Sequence, residues 1–200
     1  MALTSATVSD GEIVARLQAG DEAAFAALVR QYQPSLLRLA RQMVASSAVA
    51  EEVVQDTWLA VVRGVERFEG RSSLKTWLFR ILANRARTSI GRELRSGPLP
   101  LDEVTERFDR SGAWVTPPVP WSDEAEDRIV AARLAAKVNE VLPTLPEAQR
   151  QVMVLRDVEG LSAADVATVL GLTDGNQRVL LHRARARIRQ HLDAEMAGQS

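Results

Sequence analysis

Five of the chain's eight prolines fall between Gly97 and Asp127, and they cut it in two. Pro98, Pro100, Pro117, Pro118 and Pro120 each remove a backbone donor and block helix, so no regular element crosses this stretch. The same stretch holds eight acids: Asp102, Glu103, Glu106, Asp109, Asp123, Glu124, Glu126 and Asp127. That composition predicts a flexible, extended connector over residues 97–127. Trp114 and Trp121 are unusual in a connector; either they fold back on a module or they await a partner surface. On either side lie residues 1–96 and 128–200, each long enough for one small domain.

Both flanking stretches read as helix. In the first, apolar periodicity predicts helices near 9–19, 21–44, 48–67 and 73–94. Val54, Trp58, Val61 and Val65 recur at helical spacing and form the buried stripe of the third. Glu51 and Glu52 are placed in its first turn, where the helix dipole favours anions. The fourth follows Gly70-Arg71-Ser72-Ser73, with a serine as its cap, and Leu74, Trp77, Leu78, Ile81 and Leu82 give it an apolar face.

The last stretch opens on Thr144-Leu145-Pro146-Glu147, which reads as a capping box with proline in the first helical turn. That helix runs to about Val158 and stops at Gly160. Ser162 caps a short helix that Gly171 ends, and after Gly171-Leu172-Thr173 a final helix runs from Asp174 to about Leu192. Two helices joined by a glycine-containing turn of this length match the helix-turn-helix pattern. The expected fold class is all-α: two small helical domains joined by a proline- and acid-rich linker, the second carrying the helix-turn-helix.

Composition narrows the functions. With no cysteine, disulfides, thiolate catalysis and cysteine metal sites are all excluded. The start MALTSATVSDGE lacks the basic and apolar segments of a signal peptide, and no apolar run approaches the roughly 20 residues of a membrane span, so a cytoplasmic protein is expected. Both histidines, His182 and His191, lie in one basic helix, and no glycine-rich phosphate loop or metal cluster appears. The expectation is therefore a protein that is not an enzyme, with no cofactor, no metal and no small-molecule substrate.

A net charge of −1 is uninformative, but its distribution is not. From Asn176 to Leu192 the final helix carries Arg178, Arg183, Arg185, Arg187 and Arg189, both histidines and no acid. At about 100° per residue, Gln177, Leu181, Ala184, Ile188 and Leu192 share one buried stripe, with arginines on either side of the outer ridge. A helix so built suits the major groove, gripping phosphates on both walls. A merely solvated helix would normally intersperse acids at i,i+4. The second basic stretch, Arg80 to Arg95, has five arginines against Glu93 alone. It shares its helix with Trp77, Phe79 and Asn84 and follows Phe68, a mixture suited either to stacking on unpaired bases or to a core with a solvated face.

These residues carry a family resemblance. Glu51-Glu52-Val53-Val54-Gln55-Asp56-Thr57-Trp58, then Phe68 through Ile81 with Asn84, closely resembles the promoter-melting domain of bacterial sigma factors of the extracytoplasmic-function group. Leu145-Pro146-Glu147 through Leu155-Arg156, then Glu159-Gly160-Leu161-Ser162 and His182-Arg183-Ala184-Arg185, resembles the same group's domain for the −35 element. The match covers roughly residues 10–95 and 125–195, and the linker matches only in position and character.

The resemblance implies partners and roles: core RNA polymerase, promoter DNA and a separate anti-sigma factor. Asp56, with Glu52, Gln55 and Leu59, would dock on the clamp helices of the polymerase's largest subunit. The helical pattern agrees, since Glu52, Asp56, Leu59 and Arg63 lie opposite the buried stripe, a mixed face suited to a protein partner. Phe68, Trp77, Phe79 and Asn84, with Arg80 and Arg87, would hold the −10 strand, one base being flipped near Phe68 and Asn84; Trp77 either joins that surface or belongs to the core. Asn176, Arg178, Val179, His182, Arg183 and Arg185 would meet the −35 element. Only eight residues follow Leu192, which is why the regulator is expected on another chain.

Two departures stand out. The family's Phe-Arg-Gly-Asp loop here reads Phe68-Glu69-Gly70-Arg71, with the charges exchanged. In the recognition helix, Val179 and Leu180 replace the usual small polar residue and arginine. The alternative function is a conventional helix-turn-helix regulator that binds duplex DNA without polymerase. That reading leaves the Phe68–Asn84 block without a task.

Overall fold

In a computed structural model the chain is described over residues 9–93, 138 and 140–197, and every element among them is helical. Residues 97–127, with Trp114 and Trp121, lie outside the described residues, and so does the expected linker.

Caps fix where the first unit's helices begin. Helix α1 (Asp10–Gln18) starts at Ser9 in a capping box: the Ser9 hydroxyl accepts from the Glu12 amide at 3.3 Å, and the Glu12 carboxylate accepts from the Ser9 amide at 2.9 Å. Helix α2 (Glu22–Met43) starts at Asp21, which accepts from the Ala24 amide at 3.0 Å. Helix α3 (Ser47–Gly64) starts at Ser46, which accepts from the Val49 amide at 3.2 Å. This start places Glu51 and Glu52 beyond the first turn, not in it as the sequence pattern suggested. A 3₁₀ turn (Val65–Arg67) follows, then α4 (Leu74–Glu93). Ser73 caps α4 as expected, accepting from the Thr76 amide at 3.1 Å. Asp10, arriving from α1, adds a second acceptor for the Leu74 amide at 2.8 Å.

Side chains from three of these helices meet in a fully buried core: Leu28, Leu36 and Leu39 of α2, Val54 and Val61 of α3, and Leu74, Leu78, Phe79 and Leu82 of α4. The predicted α3 stripe is buried throughout. Trp58 closes its edge, donating from Nε1 to Gln33 Oε1 at 2.5 Å and packing edge-on against Phe25.

The second unit comprises a 3₁₀ turn (Leu142–Thr144), α5 (Glu147–Met153), a π turn (Val154–Val158), α6 (Ala163–Leu170) and α7 (Asp174–Ala197). The expected capping box is absent. Pro146 holds the N-cap position without a side-chain bond, and the Thr144 hydroxyl donates instead to the Val141 carbonyl at 2.8 Å. Thr144 belongs to the preceding turn, so its oxygen is engaged before the helix begins. The helix-turn-helix is as read: Ser162 caps α6, Gly171 ends it at φ +68°, and α7 follows the turn. Helix α7 continues past Leu192 to Ala197. Gln177, Leu181, Ala184 and Ile188 form its buried stripe, and Leu192 is partly buried.

Two modules were expected, and the structure packs them directly on each other. Helix α6 lies against α4, and α5 lies against α2, so that one hydrophobic core runs through both units.

Candidate nucleic-acid interface

Helix geometry sorts the residues of α4. At 100° per residue, Trp77, Ile81, Asn84 and Thr88 share one stripe, with Arg80 and Arg87 beside it. Asn84, Arg80, Arg87 and Thr88 are exposed, while Trp77 and Ile81 are half-buried. Phe68 lies tilted on Trp77 with ring centroids 5.0 Å apart. Beneath them Gly64 closes α3, beside the Trp77 indole. Trp77 is thus half-buried, anchored in the fold against Phe68 and neither wholly core nor wholly surface. The structure brings Phe68, Trp77, Arg80, Asn84 and Arg87 onto one side of the corner.

Phe79 does not join them. It is 0% exposed, inside the core with Leu78 and Leu82. Two residues from Trp77, it is turned some 200° away, because i,i+2 positions on a helix do not share a face. Its expected contact with the −10 strand is therefore corrected: the ring is core, overlain by the Lys75 ammonium at 5.9 Å.

The loop with exchanged charges pairs them. Arg71 Nε lies 3.1 Å from Glu69 Oε2 across Gly70, which turns at φ +71°. Both side chains are mostly exposed, so the pair is worth well under about 1 kcal/mol.

On α7 the first turns project from the helix-turn-helix. Asn176, Arg178 and Val179 are exposed, and His182 and Arg183 are half-buried. Val179 is 45% exposed despite its apolar side chain, as its angle opposite the stripe predicted. Arg185 is exposed. It is engaged by Asp157 through Nε at 2.9 Å and Nη2 at 2.6 Å, a two-point bond to its own unit's π turn. That hydrogen bonding holds the guanidinium still more firmly protonated. Arg185 braces α7 against the π turn.

The α3 face agrees with the pattern: Glu52, Gln55 and Leu59 are exposed and Asp56 is half-buried. Leu59 and its neighbour Val62 are each 54% exposed, a mixed apolar and acidic surface fit for a protein partner. Among the described residues no group of three or more His, Cys, Asp or Glu could hold a metal ion, and no helix is long and apolar enough to cross a membrane.

Sequence reasoning missed Glu159. In the π turn the Glu159 amide donates to Val154 O at 2.9 Å, an i→i+5 bond. The Glu159 side chain, 4% exposed, meets Arg38 Nη1 at 2.7 Å and Lys75 Nζ at 3.5 Å, both from the first unit. No local signal marks it, since its partners lie 121 and 84 positions away.

Residues 28–96 match the family Sigma-70 region 2, and residues 135–188 match Sigma-70, region 4. The chain is 30% identical to the ECF RNA polymerase sigma-E factor of Haemophilus influenzae, over 94% of this chain and 98% of that one. It is 33% identical to the ECF RNA polymerase sigma factor SigM of Mycobacterium tuberculosis, over 90% and 83% respectively. Among solved structures it is similar to CnrH in complex with the cytosolic domain of CnrY, with 26% identity, a TM-score of 0.58, and coverage of 94% and 99%.

Proposed function

Because the chain belongs to the extracytoplasmic-function group of sigma-70 family RNA polymerase sigma factors, we propose that the α4 corner and the α7 tip divide promoter recognition between them. The protein is an alternative sigma factor: it binds core RNA polymerase, recognises −35 and −10 elements and initiates transcription. Residues 1–96 take the melting and polymerase-binding work, and residues 128–200 the −35 element.

At the corner, Phe68 and Trp77 offer ring faces to bases of the −10 strand, and Arg80 and Arg87 neutralise its phosphates. Asn84, one of the stripe's polar side chains, reads an extruded base edge. Unstacking a base costs a few kcal/mol, and stacking on aromatics returns about 1–3 kcal/mol per base. At the tip, Arg178 and Arg183 position α7 in the major groove, while Asn176, Val179 and His182 face base edges. Glu52, Gln55, Asp56 and Leu59 dock on the polymerase clamp. A separate anti-sigma chain holds the protein inactive, a reading supported by CnrH, solved with the cytosolic domain of CnrY.

One observation carries this assignment. A single chain presents an aromatic and arginine corner suited to unpaired DNA and a helix-turn-helix suited to duplex DNA. The test is to sequence transcripts made in vitro by core polymerase with and without the protein. A small set of start sites sharing −35 and −10 sequences is expected; a start-site pattern unchanged from core alone overturns the function.

A further inference from the structure

Where α5 gives way to the π turn, one acid is set against the basic helix α7. The Glu159 amide donates to Val154 O at 2.9 Å and the Leu161 amide to Leu155 O at 2.9 Å, so the chain here is wound wider than an α-helix. Asp157 lies inside this turn. Its Oδ2 accepts from Arg185 Nε at 2.9 Å and its Oδ1 from Arg185 Nη2 at 2.6 Å. One carboxylate oxygen to each nitrogen fixes the plane of the guanidinium as well as its position. Stability accounts for little of this pair. A salt bridge with side chains 53% and 27% exposed adds little to a fold, and α7 is already seated on α5 with Leu181, Ala184 and Ile188 buried.

The pair leaves half of the arginine unused. A guanidinium carries its N–H donors in a planar fork, and Asp157 takes the edge made by Nε and Nη2. The edge made by Nη1 and the second Nη2 hydrogen remains, and among the described residues no bond engages Nη1. The arginine is the more exposed partner, so the carboxylate backs it from the protein side. At 100° per residue Arg178, Arg185 and Arg189 share one ridge of α7, about a quarter turn from the buried stripe, and all three are exposed. Arg178 and Arg185 stand about 10.5 Å apart along the helix axis. A ridge on the flank of a helix in the major groove runs beside the groove wall, where it meets phosphates and not base edges.

We propose that Asp157 is a positioning residue for the −35 element, holding the Arg185 guanidinium so that its Nη1 and Nη2 edge grips one phosphate of the DNA strand beside α7. The proposal rests on the promoter reading above, in which α7 enters the major groove. Asp157 itself touches no DNA and acts only through Arg185. A long side chain gives up rotamer freedom when it grips a phosphate, and one already held by a two-point bond has given up much of it beforehand. The carboxylate and the phosphate repel each other, but the guanidinium stands between them and serves one anion on each edge.

The test binds core polymerase carrying the full-length protein to a promoter fragment taken from the in vitro transcripts, with methylphosphonates removing the charge of each −35 phosphate in turn. At one phosphate the substitution should weaken wild-type binding about tenfold and leave Arg185→Ala nearly unaffected. Asp157→Ala should bind the unmodified promoter about fivefold more weakly and respond less to that methylphosphonate. In an Arg185→Ala background Asp157→Ala should add no further loss. Asp157→Glu restores the fork and should recover most of the affinity. A brace that only stabilises α7 would give losses tied to no single phosphate. Circular dichroism checks that each variant keeps its helices, and Asp157→Asn, which keeps one acceptor and should lie between wild type and alanine, replaces Asp157→Ala if that variant fails to fold. Wild-type or tighter binding by the folded Asp157 variants overturns the positioning role. So does an equal loss with and without Arg185, or the lack of any phosphate at which wild type and Arg185→Ala differ. Each of these results leaves promoter-specific transcription by the wild-type protein intact, whereas failure of the promoter reading abolishes it.

Discussion

Replacing Phe79 and Asn84 separately by alanine divides core from contact on a single helix. Phe79 is 0% exposed, surrounded by Leu78, Leu82 and other fully buried side chains, so its loss empties a ring-sized volume in the core. Such deletions cost about 3–5 kcal/mol. At roughly 2–4 °C per kcal/mol for a chain of this size, Phe79→Ala should lower the melting temperature by roughly 6–20 °C. The Asn84 side chain is exposed and accepts from the exposed Arg87, while the Thr88 hydroxyl bonds only its backbone carbonyl, so Asn84→Ala should change stability by less than about 0.5 kcal/mol. Function should run the other way. With core polymerase, Asn84→Ala should open a duplex promoter poorly, and a template with a pre-melted bubble should largely rescue it, because the unpairing cost of a few kcal/mol is removed. Thermal melts and permanganate footprints on both templates supply the readings. A Phe79→Ala protein that melts like wild type, or an Asn84→Ala protein equally defective on both templates, would refute the division.

Asp56→Arg reverses the charge on the α3 face and should weaken core polymerase binding at least about tenfold with helicity unchanged; normal binding would remove that face from the docking surface. Val179→Ser should cost up to about 1 kcal/mol, and only at promoters with a thymine methyl at the contacted position. Uracil in place of that thymine should erase the difference, and wild-type behaviour on every promoter would leave Val179 without a reading role. The caps of α1 and α2 should titrate. The Ser9 amide, then its hydroxyl, lowers the Glu12 pKa, and the Ala24 amide, then Arg16, lowers that of Asp21. Folded pKa values below the unfolded ones mean that this stabilisation is full above the ordinary carboxylate range and is lost as pH falls through the lowered values. The Ala24 amide NMR shift should report the loss, and Asp21→Asn should abolish that titration; an unaltered titration would mean that another group is being followed.

What could be read in advance depended on whether the deciding contact was local. Ser162, Gly171 and the α7 stripe act within a turn or two of themselves, so the helix-turn-helix was legible down to its left-handed residue. Val54, Trp58, Val61 and Val65 announced their burial by spacing alone. Phe79 departs from what the resemblance implies because helical phase turns it away from Trp77 and into the core. The Thr144 capping box failed because the same oxygen is used by the turn before it. The pairing of Arg185 with Asp157, 28 positions earlier, has no local signal either. Asp10 capping Leu74 across 64 positions and Glu159 pairing with Arg38 and Lys75 are tertiary facts that no window on the sequence could contain.

The central claim is that this chain recognises promoters as a polymerase subunit and not as a free-standing duplex binder. The most direct measurement is a footprint of one promoter with the protein alone, with core polymerase alone, and with both. Protection of the −35 element together with permanganate-reactive thymines at −10 should appear only when both are present. Protection of the −35 duplex by the protein alone, unchanged when core polymerase is added and with no opening at −10, would contradict the account and favour a conventional helix-turn-helix regulator.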